Sequence, residues 1–147
     1  MLASKNCIKL IQSFEGCNLS AYPDPLSKDG LPVTIGWGST MYQNGKKVKM
    51  GDTITEAEAL KLLEWEITNK ANAISLNVNQ NQFDALVSFA FNLGLGNFNS
   101  STLKKKIFKN PNDPTIRNEF MRWVSPGSSV EKGLRRRRKA EADLYFS

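Results

Sequence analysis

Between Ser4 and Phe14 the apolar residues Cys7, Leu10, Ile11 and Phe14 recur at three- and four-residue spacing. This predicts a short amphipathic helix that ends near Glu15, with Gly16 at the position of a left-handed cap. Residues 18–32 are rich in Pro, Ser, Asp and Gly and read as loop. In Val33-Thr34-Ile35-Gly36-Trp37-Gly38 the apolar side chains alternate as in a strand, and Asn44-Gly45 marks a tight hairpin turn. Residues 31–50 therefore form a small antiparallel β unit. Thr55-Glu56-Ala57-Glu58 is a capping box, and Leu60, Leu63, Ile67, Ala71 and Ile74 continue one apolar face over a long helix.

Phe83, Leu86, Val87, Ala90, Phe91 and Leu93 are apolar on most sides of a helix that stops at Gly94. This is the central core element, and Phe83, Leu86, Ala90 and Phe91 are its expected core side chains. Ser100 or Ser101 caps a helix through Phe108, and Asp113-Pro114 opens another through Val124. Residues 125–129 are loop, and a last helix runs from Leu134 to Tyr145. One helix, a small β unit and then four or five helices give an α+β pattern with segregated elements. No repeat or linker divides the chain, so residues 1–147 read as one domain, with a β-containing lobe over about 16–55 and a helical lobe over about 56–147 joined by the N-terminal helix.

Composition narrows the chemistry. The chain has 40% hydrophobic and 23% charged residues, an ordinary globular balance, and no histidine. Ser-His-Asp and Cys-His hydrolysis and His-based zinc sites are thereby excluded in their standard forms. Cys7 and Cys17 lack metal-ligand spacing and read as packed free thiols. Hydrolysis by this chain has to rest on Asp and Glu. The formal net charge of +6 is uneven, since residues 100–147 carry 12 basic against 5 acidic residues. That half is attracted to a polyanion: nucleic acid, an anionic lipid surface or an anionic cell wall. Lysines interrupt the N-terminal apolar pattern, so neither a signal peptide nor a membrane-spanning stretch is expected.

Two carboxylates stand out. Glu15 closes an apolar helix beside Phe14, where the negative end of the helix dipole and a partly dry setting suit a general acid. Asp24 follows nine residues later between Pro23 and Pro25, in a polar loop that suits an ionised group able to activate water. Carboxylates with opposed environments are the equipment for cleaving a glycosidic bond. Spacing alone also fits a solvated helix-end Glu and a turn-forming Asp.

The neighbouring residues resemble a known family. Phe14-Glu15-Gly16, Leu19, Ala21-Tyr22-Pro23-Asp24 and Thr34-Ile35-Gly36-Trp37-Gly38 are similar to the catalytic segment of the phage-type lysozymes, or endolysins, of glycoside hydrolase family 24. Gln82 to Gly94, Ser100-Ser101-Thr102-Leu103, and Gly133-Leu134-Arg135-Arg136-Arg137 with Ala140-Glu141 resemble that family's central and terminal helices. The resemblance implies a lysozyme-like fold with a cleft between the lobes, and hydrolysis of the β-1,4 bond between N-acetylmuramic acid and N-acetylglucosamine in bacterial peptidoglycan, leaning towards inversion. Glu15 would be the general acid, Asp24 would place or activate water, and Thr34 would help hold that water. Tyr22, Gly36, Asn92 and Arg135 would touch substrate, with Arg135, then Arg136, as the arginine approaching Glu15 and the other arginines in solvent. Trp37 and Tyr42 are further aromatic candidates for stacking on sugars. The resemblance departs at Ser39, where the family often has His, and in the longer loop from Pro25 to Pro32.

It implies no metal or organic cofactor, a monomer without stable membrane insertion or a nucleic-acid partner, and residence in the host cytoplasm until a holin-type membrane protein releases it. The competing readings are an inactive relative acting as a cationic cell-wall or nucleic-acid binding module, based on Lys104-Lys105-Lys106 and the run from Arg135 to Lys139. No recognition element for nucleic acid accompanies those runs.

Overall fold

The computed structural model describes residues 1–147. The elements in order are α1 (Lys5–Phe14), β1 (Asn18–Tyr22), β2 (Thr34–Gly36), α2 (Glu56–Asn72), α3 (Gln80–Leu93), α4 (Leu95–Ser100), α5 (Thr102–Lys109), α6 (Ile116–Met121) and α7 (Glu131–Tyr145). This is the α+β class read from the sequence. The chain forms two compact units, residues 11–67 and residues 1–10 with 68–147. No helix is long and apolar enough to cross a membrane.

In the β-containing unit, β1 pairs antiparallel with β2, Asn18 opposite Gly36 and Tyr22 opposite Thr34, with a bulge between. Beyond the other edge of β1, Ile54 N–H donates to Leu19 O at 2.9 Å and Ala21 N–H to Asp52 O at 2.9 Å. The strand β1 falls where loop was expected. Its residues Asn18-Leu19-Ser20 are exposed, so no burial alternation marks it, and backbone pairing on both edges defines it instead. The expected turn is present at Asn44-Gly45, with Gly45 at φ +85° and Tyr42 N–H donating to Lys46 O at 2.9 Å.

Ile35, Val48 and Leu62 form this unit's core, with Ala21, Val33, Tyr42, Ile54 and Trp65 packed on them. Tyr42 O–H donates to Asp52 Oδ2 at 2.7 Å, so this ring serves the core rather than presenting itself to a sugar. Burial and the Asp52 carboxylate push its phenol up to about 12. Thr55 and Glu58 complete the capping box of α2 reciprocally, both bonds 3.1 Å. The inward face of α2 is Ala59, Leu62, Leu63, Ile67 and Ala71, while Leu60 is exposed, one position off the stripe expected of it.

In the helical unit α3 is the central element, buried continuously from Gln82 to Ala90 and opened by an Asn79/Gln82 capping box. Its buried polar groups are satisfied: the Asp84 carboxylate accepts from Ser4 N–H at 2.9 Å, from the Ser4 hydroxyl, and from Gln80 Nε2 at 2.8 Å. Phe89, fully buried, meets Phe98, Phe120 and Trp123 edge-to-face at 6.1, 5.7 and 5.8 Å between centroids. Phe91 is only half-buried, so the expected core ring is Phe89 instead. Gly94 ends α3 at φ +89° and the chain turns at once into α4, which the polar run Gly96-Asn97 concealed. Of the two thiols Cys7 is buried and pushed up to about 12 by that burial, whereas Cys17 is exposed rather than packed.

The arginine run of α7 divides by helical face. Arg138 is completely buried and donates to Glu141, to Asn92 Oδ1 and, at 3.1 Å, to Trp123 O. Arg137, also buried, donates to Glu141 Oε2 and to Ser88 O, both at 3.3 Å, and the Ser88 hydroxyl donates to Glu141 Oε2 at 2.6 Å. Arg135 instead lies on the exposed side and pairs with Glu131 at 2.9 Å, and Arg136 is exposed too. The expectation that Arg135 points inward and the later arginines face solvent is reversed. Arg138, Glu141, Ala142 and Tyr145 share the core stripe of α7, whereas Arg135 sits beyond its edge.

Two measurements check this packing. Phe89→Ala is expected to cost about 3–5 kcal/mol in denaturant unfolding, and Phe91→Ala clearly less. Arg138→Gln takes the guanidinium from Glu141 Oε1, leaving Arg137 and Ser88 on Oε2 only, and is expected to destabilise by about 3 kcal/mol, while Arg135→Gln leaves the unfolding midpoint nearly unchanged.

Candidate active site

The candidate catalytic residues of the β-containing unit sit where three local structures end. Glu15 follows the last residue of α1, its N–H still donating to Ile11 O at 2.9 Å, and the residue is half-buried. Its carboxylate lies against the backbone turn that leaves β2. A Cβ built on Gly38 would fall 3.0 Å from Glu15 Oε2 and 3.6 Å from its Cδ, and Gly38 has φ +88°. Position 38 thus excludes a side chain twice, by backbone conformation and by the space the carboxylate fills.

Asp24 lies two residues beyond β1. Its N–H donates to Gly30 O at 2.8 Å and its Oδ1 accepts from Leu26 N–H at 2.9 Å, an Asx turn that holds one carboxylate oxygen and leaves Oδ2 outside that bond. Asp29, the other acid of this loop, accepts from Ser27 Oγ at 2.5 Å and Leu31 N–H at 3.0 Å, which hold its carboxyl below the usual range. Asp29 closes the loop, and Asp24 stands at its entrance.

Tyr22 links the two carboxylates electrically. Burial pushes its phenol up, and the Glu15 and Asp24 charges add in the same direction against a hydrogen bond with Asn18. Opposite Tyr22 across the sheet stands Thr34, whose hydroxyl donates to Pro32 O at 3.2 Å, so its lone pairs are the part left to receive a proton donor. The structure therefore brings Glu15, Tyr22, Asp24 and Thr34 onto one small sheet and its flanks.

The other expected site residues have different surroundings. At Gly36, φ is +63° and a Cβ would approach Ala59 Cβ and Ile54 Cδ1 at 3.4 Å, so the missing side chain there serves the packing of α2. Trp37, between the two glycines, lines a hollow of about 450 Å³ with Gln12, Cys17, Glu56, Ala57 and Leu60. Asn92 and Arg135 belong to the helical unit. Asn92 is half-buried and gives its carbonyl oxygen to Arg138, keeping its Nδ2 donors, and Arg135 is held by Glu131.

Sequence reasoning singled out neither the Arg137/Arg138/Glu141 cluster nor its Ser88 partner. The available signal was the spacing of Arg138 and Glu141 with Ala142 and Tyr145 at three to four residues. Ser39, where the resemblance placed a departure, is fully buried with no hydrogen-bond partner for its hydroxyl. Its backbone carries the local structure, exchanging bonds with Ile35 at 2.8 and 2.9 Å. No group of three or more Cys, Asp or Glu side chains is placed to hold a metal ion.

Comparison with known proteins bears on the family of the chain. The chain is 38% identical over 152 residues to an endolysin of Bacillus phage B103, matching all of this chain and 55% of that protein, so it spans about half that relative's length. It is 35% identical to the endolysin of Salmonella phage P22 over 151 residues, covering 100% of this chain and 99% of the relative. Among solved structures, an endolysin from Escherichia coli O157:H7 phage FAHEc1 superposes with a TM-score of 0.86 at 33% identity, covering 100% of this chain and 94% of the other. The phage lysozyme family model matches residues 12–141, from the last turn of α1 to the buried glutamate of α7, and the chain belongs to that family.

Proposed function

We propose that residues 1–147 act as one catalytic domain, an endolysin muramidase that hydrolyses the β-1,4 bond between N-acetylmuramic acid and N-acetylglucosamine in bacterial peptidoglycan. The observation that carries this reading is the pair of carboxylates, Glu15 over Gly38 and Asp24 in its Asx turn, whose charges meet at the Tyr22 phenol.

In this reading Glu15 donates its proton to the glycosidic oxygen as the bond to the anomeric carbon breaks. Asp24 receives a proton from the water that adds to that carbon, and Thr34 accepts a hydrogen bond from the same water. Asn92 reaches substrate through its Nδ2 donors, held in orientation by Arg138. The protein works as a monomer without cofactor, and a holin-type membrane protein releases it from the host cytoplasm to the wall.

The direct test is release of reducing ends from purified peptidoglycan. Glu15→Gln keeps shape and removes the proton source, so activity is expected to fall at least about 10²-fold with the unfolding midpoint retained. Asp24→Asn is expected to be comparably damaging, and a fully active Asp24→Asn enzyme would remove Asp24 from the mechanism. Gly38→Ala should displace the Glu15 carboxylate or strain the turn, lowering kcat about 10²-fold while KM changes little. Unchanged kcat in a folded Gly38→Ala protein would show that this contact does not position the acid.

A further inference from the structure

The helical unit, residues 1–10 and 68–147, carries 15 Lys and Arg against 6 acids, and the β-containing unit 5 Lys against 8 acids. Within that basic unit α5 has a feature that neither catalysis nor packing uses. Its buried stripe is Leu103 and Ile107. On another face Lys105, Phe108 and Lys109 fall at i, i+3 and i+4, and the Phe108 ring is 83% exposed, the most exposed large hydrophobic side chain of the chain. A solitary exposed Leu or Met is ordinary, whereas an aromatic ring held out between two lysines is an amphipathic combination.

The charges around it are not equivalent. Lys106 is committed to Glu119 at 2.9 Å and to Thr115 at 3.0 Å, and Lys104 to Asn99 at 2.9 Å. Lys105 and Lys109 form no ion pair. The acid nearest in effect is half-buried Asp113, whose carboxyl is held low chiefly by Thr115 and only secondarily by Lys106 and Lys109. Beside the ring a hollow of about 540 Å³ opens, lined by Phe108, Lys109 and Pro111 together with Ser75, Leu76 and Asn77. Apolar ring, unpaired cations and a hollow with hydroxyl and amide groups thus meet at one place.

We propose that this face of α5 docks on an anionic phospholipid bilayer, with Phe108 entering the interfacial layer, Lys105 and Lys109 facing lipid phosphates, and the Ser75/Asn77 hollow receiving a headgroup. A soluble polyanion would be satisfied by the lysines alone. The exposed ring is what favours a surface with an apolar layer beneath its charge. The docking is peripheral and weak, as one ring and two lysines dictate, and it does not depend on the hydrolytic reading.

The test is co-sedimentation of the full chain with phosphatidylglycerol/phosphatidylcholine vesicles and with phosphatidylcholine vesicles, neither containing wall material. Binding is expected to the anionic vesicles only. Phe108→Ser and the pair Lys105→Gln/Lys109→Gln should each weaken it about tenfold. Arg135→Gln/Arg136→Gln, the same charge change on α7, should weaken it less than twofold. Phe108→Ser should leave the melting temperature and turnover of soluble glycan fragments unchanged, which separates this surface from the active site. The proposal fails if Phe108→Ser binds like wild type, if the α5 and α7 charge variants lose binding equally, or if heparin is bound with the same sensitivity to Phe108.

Discussion

The contact on which the β-containing unit depends is the one between the Glu15 carboxylate and the bare α-carbon of Gly38. A helix end and a strand end arrive at the same point, and only the absence of a side chain lets the carboxylate occupy it. The positive φ at Gly38 turns the chain so that Ser39 N–H and O both return to Ile35, which closes the turn behind the acid. The same short strand presents Thr34 to Tyr22 across the sheet and seats Gly36 on α2. Thr34, Gly36 and Gly38, within five residues, thereby serve sheet pairing, packing on α2 and contact with the Glu15 carboxylate. This density of roles explains why the motif is compact in sequence.

In the helical unit the corresponding constraint is electrostatic. Glu141 is fully buried, and a lone carboxylate there would carry a large desolvation cost. Arg137, Arg138 and Ser88 offset it by charge and hydrogen bonds, and Arg138 extends the network to Asn92 and Trp123 O. The Arg138 guanidinium also lies 5.1 Å from the Phe89 centroid, so the polar network and the aromatic cluster share a wall. A fully satisfied network of this kind holds its members in single rotamers. The orientation of Asn92 at the end of α3 is one product of that order.

Periodicity was legible wherever a residue's burial repeats with its element. Helix α1, the capping box and inward face of α2, the continuous burial of α3 and the Ser101 cap of α5 all follow from apolar spacing or local capping chemistry. What escaped was whatever another segment decides. The exposed residues of β1 form a strand because β2 and residues 52–54 pair with its edges. Helix α4 is six residues long and its burial rests on Phe98 alone. The arginine run misled because four adjacent like charges suggest a solvated face, whereas the 100° step of a helix places two of them inward. At the candidate site the identities of Glu15, Asp24 and Thr34 came from motif resemblance. Their geometry came from turns: the Asx turn at Asp24 and the positive-φ glycine at 38.

Charge is segregated in a way that complements the proposed chemistry. The β-containing unit, which holds both carboxylates, has more acids than lysines, and such a surface alone would be repelled by an anionic envelope. An acid and a carboxylate base are nevertheless what the proposed hydrolysis requires, and surrounding them with lysines would favour the charged form of the donor. The positive excess belongs to the helical unit, and its attraction to a polyanionic wall or membrane acts over about a Debye length, roughly 8–10 Å at physiological salt. Glu15 lies against Gly38 and Asp24 is held in its Asx turn, while the chain as a whole retains a net charge of +6 that favours encounter with anionic surfaces.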